Sequence, residues 1–245
     1  MKTTNRILLT AFIVLILLMI AVIVSVRFSL AEELVRGSGE VIEEERMIDP
    51  FNSIEAKGNL QILLQQNDQE RVMVAADDNL LDLIETYVNG NTLYINLLKP
   101  VGHYEKMEVT VAFSDLDALE ISRNGRAEAP DGIRSDYFTH KLHSGAKSTL
   151  HINVDELTLD LSSGAHAKLS GSASLMNAES SSGASLDATD LEISVCSIKA
   201  SSGATNSLFV TSDLSAKASS GGVIRYSGDP TITSMQSSSG GRIIK

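Results

Sequence analysis

The stretch LSSGAHAKLSGSASLMNAESSSGASLDATDLEISVCSIKASSGAT, Leu161 to Thr205, repeats itself. The tripeptide Ser-Gly-Ala occurs in it at Ser163-Gly164-Ala165, Ser182-Gly183-Ala184 and Ser202-Gly203-Ala204. Reading outward adds Ser144-Gly145-Ala146 on one side, and Ser220-Gly221-Gly222 and Ser239-Gly240-Gly241 on the other. The glycines of these copies are 19, 19, 20, 18 and 19 residues apart, and Asn124-Gly125, 20 before Gly145, stands as a degenerate first copy. A sustained period of this size marks a repeat architecture.

Aligned on the glycine, the copies form columns. Seven residues before it stand Phe138, Leu157, Met176, Cys196, Leu214 and Thr233; three before it stand Leu142, Leu161, Ser180, Ala200, Ala218 and Ser237. Five after it stand Leu150, Leu169, Ala188, Leu208, Tyr226 and Lys245, so the apolar columns thin toward the C-terminus. Side chains alternate along a strand, and the Ser and Ala/Gly columns flanking the glycine share the parity of the column three before it. Both are therefore expected to face inward, with the glycine outward beside Ser162, Ser181, Ser201, Ser219 and Ser238. Coils of about 19 residues that stack at about 4.8 Å and bury a shared interior make an all-β, β-helix-like solenoid. A propeller blade needs about 40 residues, and a leucine-rich repeat would show an Asn column and helical segments that are missing.

Upstream of the repeats, Ile54, Ala56, Gly58, Leu60, Ile62 and Leu64 alternate as on a half-buried strand. Strands are expected at Arg71–Ala75 and Thr92–Leu97, the second after the turn signal Asn89-Gly90-Asn91, and Leu80–Tyr87 has the spacing of a short helix. At the N-terminus, Ile7 to Val26 is an uncharged apolar run of 20 residues, long enough to cross roughly 30 Å of hydrocarbon. It is expected to be a membrane helix, with Lys2 and Arg6 before it and the rest of the chain exported. The competing reading is a signal peptide cleaved after Ser29-Leu30-Ala31, but the run exceeds the usual length of about 7 to 15 residues. The chain thus divides into an anchor or signal segment (1–31), an acidic, solvated linker (32–48), and a solenoid domain (49–245) whose Ser-Gly coils occupy 125–245.

Composition narrows the function. The chain has 245 residues, 43% of them hydrophobic, only 4% aromatic, with a net charge of −11. Nucleic acid is excluded as a partner, because phosphate binding needs a surface rich in Lys and Arg. Cys196 has no second cysteine to pair with, and its apolar column makes it a buried, inert thiol. A glycan-cleaving enzyme would need clustered carboxylates; Asp155, Asp160, Asp187, Asp190 and Asp213 stand at unequal distances from their glycines and form no column. His103, His140, His143, His151 and His166 lack zinc-site spacing and read as solvated, and the calcium nonapeptide G-G-x-G-x-D is absent at Gly221-Gly222-Val223. No catalytic residue, metal or cofactor is expected.

The text FNSIEAKGNLQILLQQNDQERVMVAADDNLLDLIETYVNGNTLYINL, Phe51 to Leu97, followed by the serial Ser-Ser-Gly-Ala copies, resembles the head GIN domain of auto-transporter adhesins, a family of unknown function. The resemblance implies a right-handed, mostly parallel β-helix and a cell-surface or periplasmic setting, and it brings no catalytic residues. Together these readings point to a non-enzymatic, adhesin-like protein of the bacterial cell envelope, tied to the membrane through residues 7–26. Its expected partners are a glycan or an envelope protein, and self-association into a homo-oligomer is open. The alternative is a glycan-cleaving β-helix enzyme of lyase or hydrolase type.

Overall fold

The computed structural model describes residues 12–22 and 34–245. Residues 12–22 are helical, and all of them but Ile16 are exposed. The expected membrane segment 7–26 and the cleavage site at 29–31 lie partly or wholly outside the described residues, and among those described no helix is long and apolar enough to cross a membrane.

The repeats form five long parallel strands: β9 (Arg126–Leu142), β10 (Lys147–Leu161), β11 (His166–Ser180), β12 (Ser185–Ala200) and β13 (Thr205–Ala218). Three short strands finish the stack: β14 (Val223–Ser227), β15 (Thr231–Ser237) and β16 (Arg242–Ile244). Each long strand supplies one coil, running along both walls of the solenoid, and the coils stack in register. Phe138 pairs with Leu157, Leu157 with Met176, Met176 with Cys196 and Cys196 with Leu214, all within the buried core. In the last coil the column slips by one, so that Ile232 and not Thr233 lies against Leu214. The whole is a solenoid of about 7 turns with coils of about 19 residues.

The Ser-Gly pairs are the corners. Ser144, Ser163, Ser182, Ser202, Ser220 and Ser239 have φ between 47° and 54°, and the glycine after each has φ between 72° and 78°. Two successive left-handed residues make a tight turn, closed by Ala146 N–H to the His143 carbonyl at 3.2 Å and by the equivalent bond in every copy. Each turn also bonds to the next: Gly145 N–H donates to the Ser163 carbonyl at 3.0 Å, Gly164 to Ser182 at 3.1 Å and Gly183 to Ser202 at 3.1 Å. Here the expectation of an inward Ser column fails. All six turn serines are exposed, because positive φ at two residues in a row breaks the alternation on which the parity argument rested. The alternation resumes one residue later: Ala146, Ala165, Ala184 and Ala204 are at most 1% exposed. Of the outward serines, Ser238 is exposed and Ser162, Ser181, Ser201 and Ser219 are half-buried.

The degenerate first copy is also shifted. Arg123 (φ 55°) and Asn124 (φ 64°) make its turn, and Lys147 pairs with Arg126, so Asn124 occupies the glycine position and Gly125 the alanine position. A Cβ at Gly125 would lie 2.9 Å from the Gly58 carbonyl oxygen, which is why no alanine stands there.

Before the repeats come β1 (Val41–Arg46), β2 (Ser53–Lys57), β3 (Gln61–Gln66), β4 (Arg71–Asp77), β5 (Ile84–Asn89), β6 (Thr92–Leu97), β7 (Met107–Phe113) and β8 (Ala118–Ser122). One wall runs β5-β6-β2-β8-β9 and the other β1-β4-β7-β3-β9, so the coil β6–β7 stacks outside the coil β2–β3 that precedes it in sequence. Strands β1, β4 and β5 run antiparallel and cap this end. The expected helix at Leu80–Tyr87 is instead a 3-10 turn, Asp78–Leu83, followed by β5; its apolar spacing serves a cap in which Leu80 and Leu81 are buried. The expected acidic linker is not free either: Val41 to Arg46 pairs with β4 along its whole length, leaving most of its side chains in solvent.

Two core polar groups stand out. Asp77 is 0% exposed, and its carboxylate accepts from the backbone N–H groups of Gly39 (2.9 Å), Glu105 (3.1 Å) and Lys106 (3.0 Å). Burial pushes its pKa up, but these bonds outweigh that and hold it below the usual range. His140, expected at the surface, is also 0% exposed, whereas His103, His151 and His166 are exposed and His143 is half-buried. Its inward parity on β9 carries it into the core. In the neutral ring Nδ1–H donates to the Leu119 carbonyl at 3.0 Å, and Nε2 accepts from Ser148 Oγ at 2.9 Å on the opposite wall.

Two outcomes follow. Ala184→Leu should lower stability by about 1 to 3 kcal/mol in urea unfolding through overpacking, while Leu at exposed Asn177 stays within about 0.5 kcal/mol. Equal effects would show that Ala184 does not fill the interior. The second concerns pH: desolvation first, against the Leu119 bond and with His143 nearby, lowers the His140 pKa from 6.5 to about 4. Its folded pKa is depressed, so the unfolded chain binds the proton first, and stability is complete above about pH 6.5 and declines as pH falls toward 4. The loss is on the order of 3 kcal/mol, and His140→Gln should flatten this part of the pH–stability curve.

Candidate functional site

Outward side chains of stacked coils repeat at the coil spacing, so any residue type placed at one height is presented as a row. Most rows here are mixed and self-neutralising. On one flat wall Lys141 pairs with Asp160, Asp160 with Glu179, Glu179 with Lys199 and Lys199 with Lys217, and Lys199 Nζ lies 2.6 Å from Glu179. Beside them runs a row of Thr139, Thr158, Asn177, Ser197 and Ser215.

The corner opposite the Ser-Gly turns is different. Around it lies a groove of about 600 Å³ whose wall includes Asp115, Asp117, Arg134, Asp136, Tyr137 and Asp155. A second hollow of about 440 Å³, lined by Gln66, Asp68 and Asp131, shares Asp115 and Arg134 with it and extends it toward the capped end. Tyr137, on this wall, is 66% exposed.

Backbone pairing positions the groove. Asn153 of β10 pairs with Arg134 of β9 and Ser172 of β11, and Ser172 Oγ donates to Asn153 Oδ1 at 3.1 Å. Asp155 lies in the row between those of Val154 and Glu156, level with Asp136 on one side and Ser174 on the other. Gln66 is the brace: its Nε2 donates to the carbonyls of Ser114 (3.0 Å) and Arg134 (2.9 Å), and its Oε1 accepts from Arg134 N–H at 2.8 Å. Asn52 Nδ2 donates to Asp117 Oδ2 at 2.6 Å. The groove is therefore a surface of carboxylates and hydroxyls, with Asp136 and Asp155 on strands and Asp115 and Asp117 in the connection between β7 and β8, together with one guanidinium and one phenol ring. It offers acceptors for ligand hydroxyls and a flat apolar face for C–H groups.

The carboxylates weighed in the sequence are not brought together. Of Asp155, Asp160, Asp187, Asp190 and Asp213, only Asp155 lines the groove. Asp160 lies on the flat wall, Asp187 accepts from Thr189 Oγ1 at 2.7 Å, and Asp190 is 4.0 Å from Lys168 Nζ. Asp155 is joined instead by Asp115, Asp117 and Asp136, which the sequence reading passed over. A signal for one of them existed: Asp136 and Asp155 both stand nine residues before a repeat glycine, Gly145 and Gly164. Measuring Asp155 from the glycine before it conceals this. Asp115 and Asp117 precede the repeats and carry no such signal.

Among the described residues, no three of His, Cys, Asp and Glu are disposed to hold a metal ion. Cys196 is 1% exposed, and burial pushes its thiol up to about 12, so it is not a nucleophile at neutral pH. The repeat residues Ser144, Gly145 and Ala146 and their five counterparts form the opposite ridge, whose serines are exposed and whose backbone is engaged in its own turn and stacking bonds.

Comparison with known proteins agrees with this architecture. A "putative adhesin" from Bacteroides fragilis is 21% identical, with a TM-score of 0.79 over 86% of this chain and 99% of its own. A "putative adhesin" from Parabacteroides distasonis is 19% identical, with a TM-score of 0.66 over 86% of this chain and 99% of that one. A "putative lipid binding protein" from the same organism is 18% identical, with a TM-score of 0.65 over 87% and 99%. At these identities the likeness shows the fold alone. No curated protein matches the chain. Residues 50–230 match the family described as "Putative auto-transporter adhesin, head GIN domain", and the chain, with its stacked Ser-Gly turns and parallel walls, belongs to that family.

Proposed function

We propose that this protein is a non-enzymatic, adhesin-like receptor of the bacterial cell envelope that holds a saccharide chain in the groove around Tyr137. The observation that carries the reading is the exposed ring of Tyr137 set among Asp136, Asp155, Asn153 and Arg134 on two adjacent coils. Sugar rings present an apolar C–H face bordered by hydroxyls, and an aromatic ring beside carboxylate and amide acceptors complements both. The strands carry these groups on hydrogen-bonded, in-register backbone, which presents them in a fixed array suited to binding. The run Ile7 to Val26 supports retention at the membrane with the solenoid exported.

On a glycan array the protein should bind a subset of saccharides, and Tyr137→Ala should weaken that binding about tenfold, the loss of one aromatic anchor. Asn177→Ala on the flat wall should leave it unchanged. Unaltered binding by Tyr137→Ala would place the site elsewhere, and shortening of the bound glycans would show an enzyme.

The anchor has its own measurement. Full-length protein should remain in the membrane fraction after a carbonate wash. A soluble form beginning at Glu32 would identify the segment as a cleaved signal peptide.

A further inference from the structure

The chain enters the solenoid through a strap that is bonded at nearly every residue. Val35 N–H donates to the Pro100 carbonyl at 3.1 Å, Gly102 N–H returns to Val35 at 2.9 Å, and Gly37 N–H donates to His103 at 2.8 Å. Asn79 holds the strap from the other side, accepting from Ser38 N–H at 3.0 Å and donating to the Arg36 carbonyl at 2.8 Å. Gly37 has no room for a side chain, because a Cβ there would run into the Asp77 carboxylate. The loop that receives the strap joins β6 to β7, the outermost coil of the capped end. The point where the chain leaves the solenoid toward its N-terminus is therefore fixed at one end of the long axis.

The geometry of that end is specific. From Val26, the last residue of the apolar run, to Val35 is nine residues, at most about 30 Å when fully extended. The solenoid itself spans eleven stacked strands along one path, about 48 Å at about 4.8 Å per step. With Val26 at a membrane surface, the capped end is held near it, and the last coil, with Met235, is the farthest part of the molecule. At the capped end Leu34 is 58% and Leu98 is 55% exposed, and Leu34 covers Gly102 of the same loop. Between this loop and the Arg123–Asn124 turn lies a groove of about 710 Å³ in which Leu97, Leu98 and Val101 adjoin Lys99 and Arg123. Among the described residues neither Lys99 nor Arg123 takes part in an ion pair, in a chain whose net charge is −11. The acidic run Glu43 to Glu45 is carried by β1, at the edge of the other wall.

We propose that this apolar and basic groove rests on the bilayer that holds the chain's own N-terminal segment, with Leu98 at the interface and Lys99 and Arg123 against anionic headgroups. The inference rests on the anchor reading of Ile7 to Val26. The solenoid then stands on its capped end, its last coil distal. Leucine and basic side chains side by side match the layering of a membrane surface, where apolar groups enter the acyl boundary and cations remain among the phosphates.

The test uses full-length protein in vesicles containing phosphatidylglycerol, labelled with a polarity-sensitive fluorophore at Leu98→Cys or, separately, at Met235→Cys. Buried Cys196 does not compete for the reagent. Lipids carrying a quencher on the acyl chain should quench the dye at 98 severalfold more than at 235. Lys99→Glu with Arg123→Glu, or replacement of phosphatidylglycerol by phosphatidylcholine, should remove most of that difference. Equal quenching at the two positions, or stronger quenching at 235, in protein that withstands a carbonate wash overturns the apposition alone. Release of the protein by carbonate overturns the anchor and the apposition with it.

Discussion

A chain that coils every 19 residues must reverse direction without opening a gap in the hydrogen bonding between coils. Two consecutive left-handed residues do this here, and their carbonyl and N–H groups point along the solenoid axis, so that each glycine N–H meets the serine carbonyl of the following coil. The cost is real, since a left-handed L-residue is disfavoured by about 1 to 2 kcal/mol, and the serine bears it in each of the six copies. The stacking of the turns recovers it, because each corner is held by the one above and the one below. Once the corners are aligned, the register of both walls is set. Leu157 must meet Met176, and Leu161 must meet Ser180, because each is counted from a fixed corner.

Coil lengths of 18 to 20 then require slack somewhere, and it is taken up away from the turns. Between β11 and β12 the register shifts at Lys168/Ser170, and between β12 and β13 at Ala188/Glu192, where Thr189, Asp190 and Leu191 have no counterparts. A bulge leaves the flanking pairs intact and redirects the side chains around it. The interior adapts as well. Polar pairs also span the two walls: His140 with Ser148 among the large apolar side chains of the first coils, and Asn206 with Ser180 at 2.8 Å where the columns have thinned to alanine and serine. Each such pair fixes the distance between the walls, because burying one member without the other would leave an unsatisfied group at about 1 to 3 kcal/mol. Asn206 Oδ1 already lacks a partner, which makes that second crossing the weaker.

The period of the glycines was enough to read the coils, the buried alanine column and the burial of Cys196, since all three follow from counting. What counting could not show depended on backbone conformation. Nothing in the spacing distinguishes a serine at positive φ from one on a strand, and that single difference moved six serines from the interior to the surface. Asn124 for glycine, with Gly125 for alanine, shifted the first copy by one residue for the same reason: asparagine also tolerates the left-handed region. The cap was hidden by composition. The charged residues of Glu43 to Arg46 look like a solvated spacer, and edge strands are charged because an uncharged open edge invites pairing with other chains. His140 needed only its parity on β9 to be placed inside; reading it as a histidine, and not as a position, concealed that.

The same contrast between corners and slack bears on where binding chemistry can develop. The turn ridge is constrained by its backbone, since its serines and glycines all hold positive φ, and just inside it a side chain on Gly222 or Gly241 would strike the carbonyl oxygen of Ala200 or Ala218 at 2.5 or 2.3 Å. The opposite corner carries no such demand, as the register shifts beside it at Leu150/Ile152 and Lys168/Ser170 and the varied row of Asp136, Asp155 and Ser174 attest. It is also close to the braces at Gln66 and Asn52, so its backbone stays fixed while its side chains are free to differ. A groove on a pre-ordered backbone loses little conformational entropy when it is filled. A ligand there and a membrane tether at the strap would load the few coils that separate them. Along that path Asp77, whose buried carboxylate ties Gly39 of the strap to Glu105 and Lys106 of the end coil, would carry the strain before the repeat coils did.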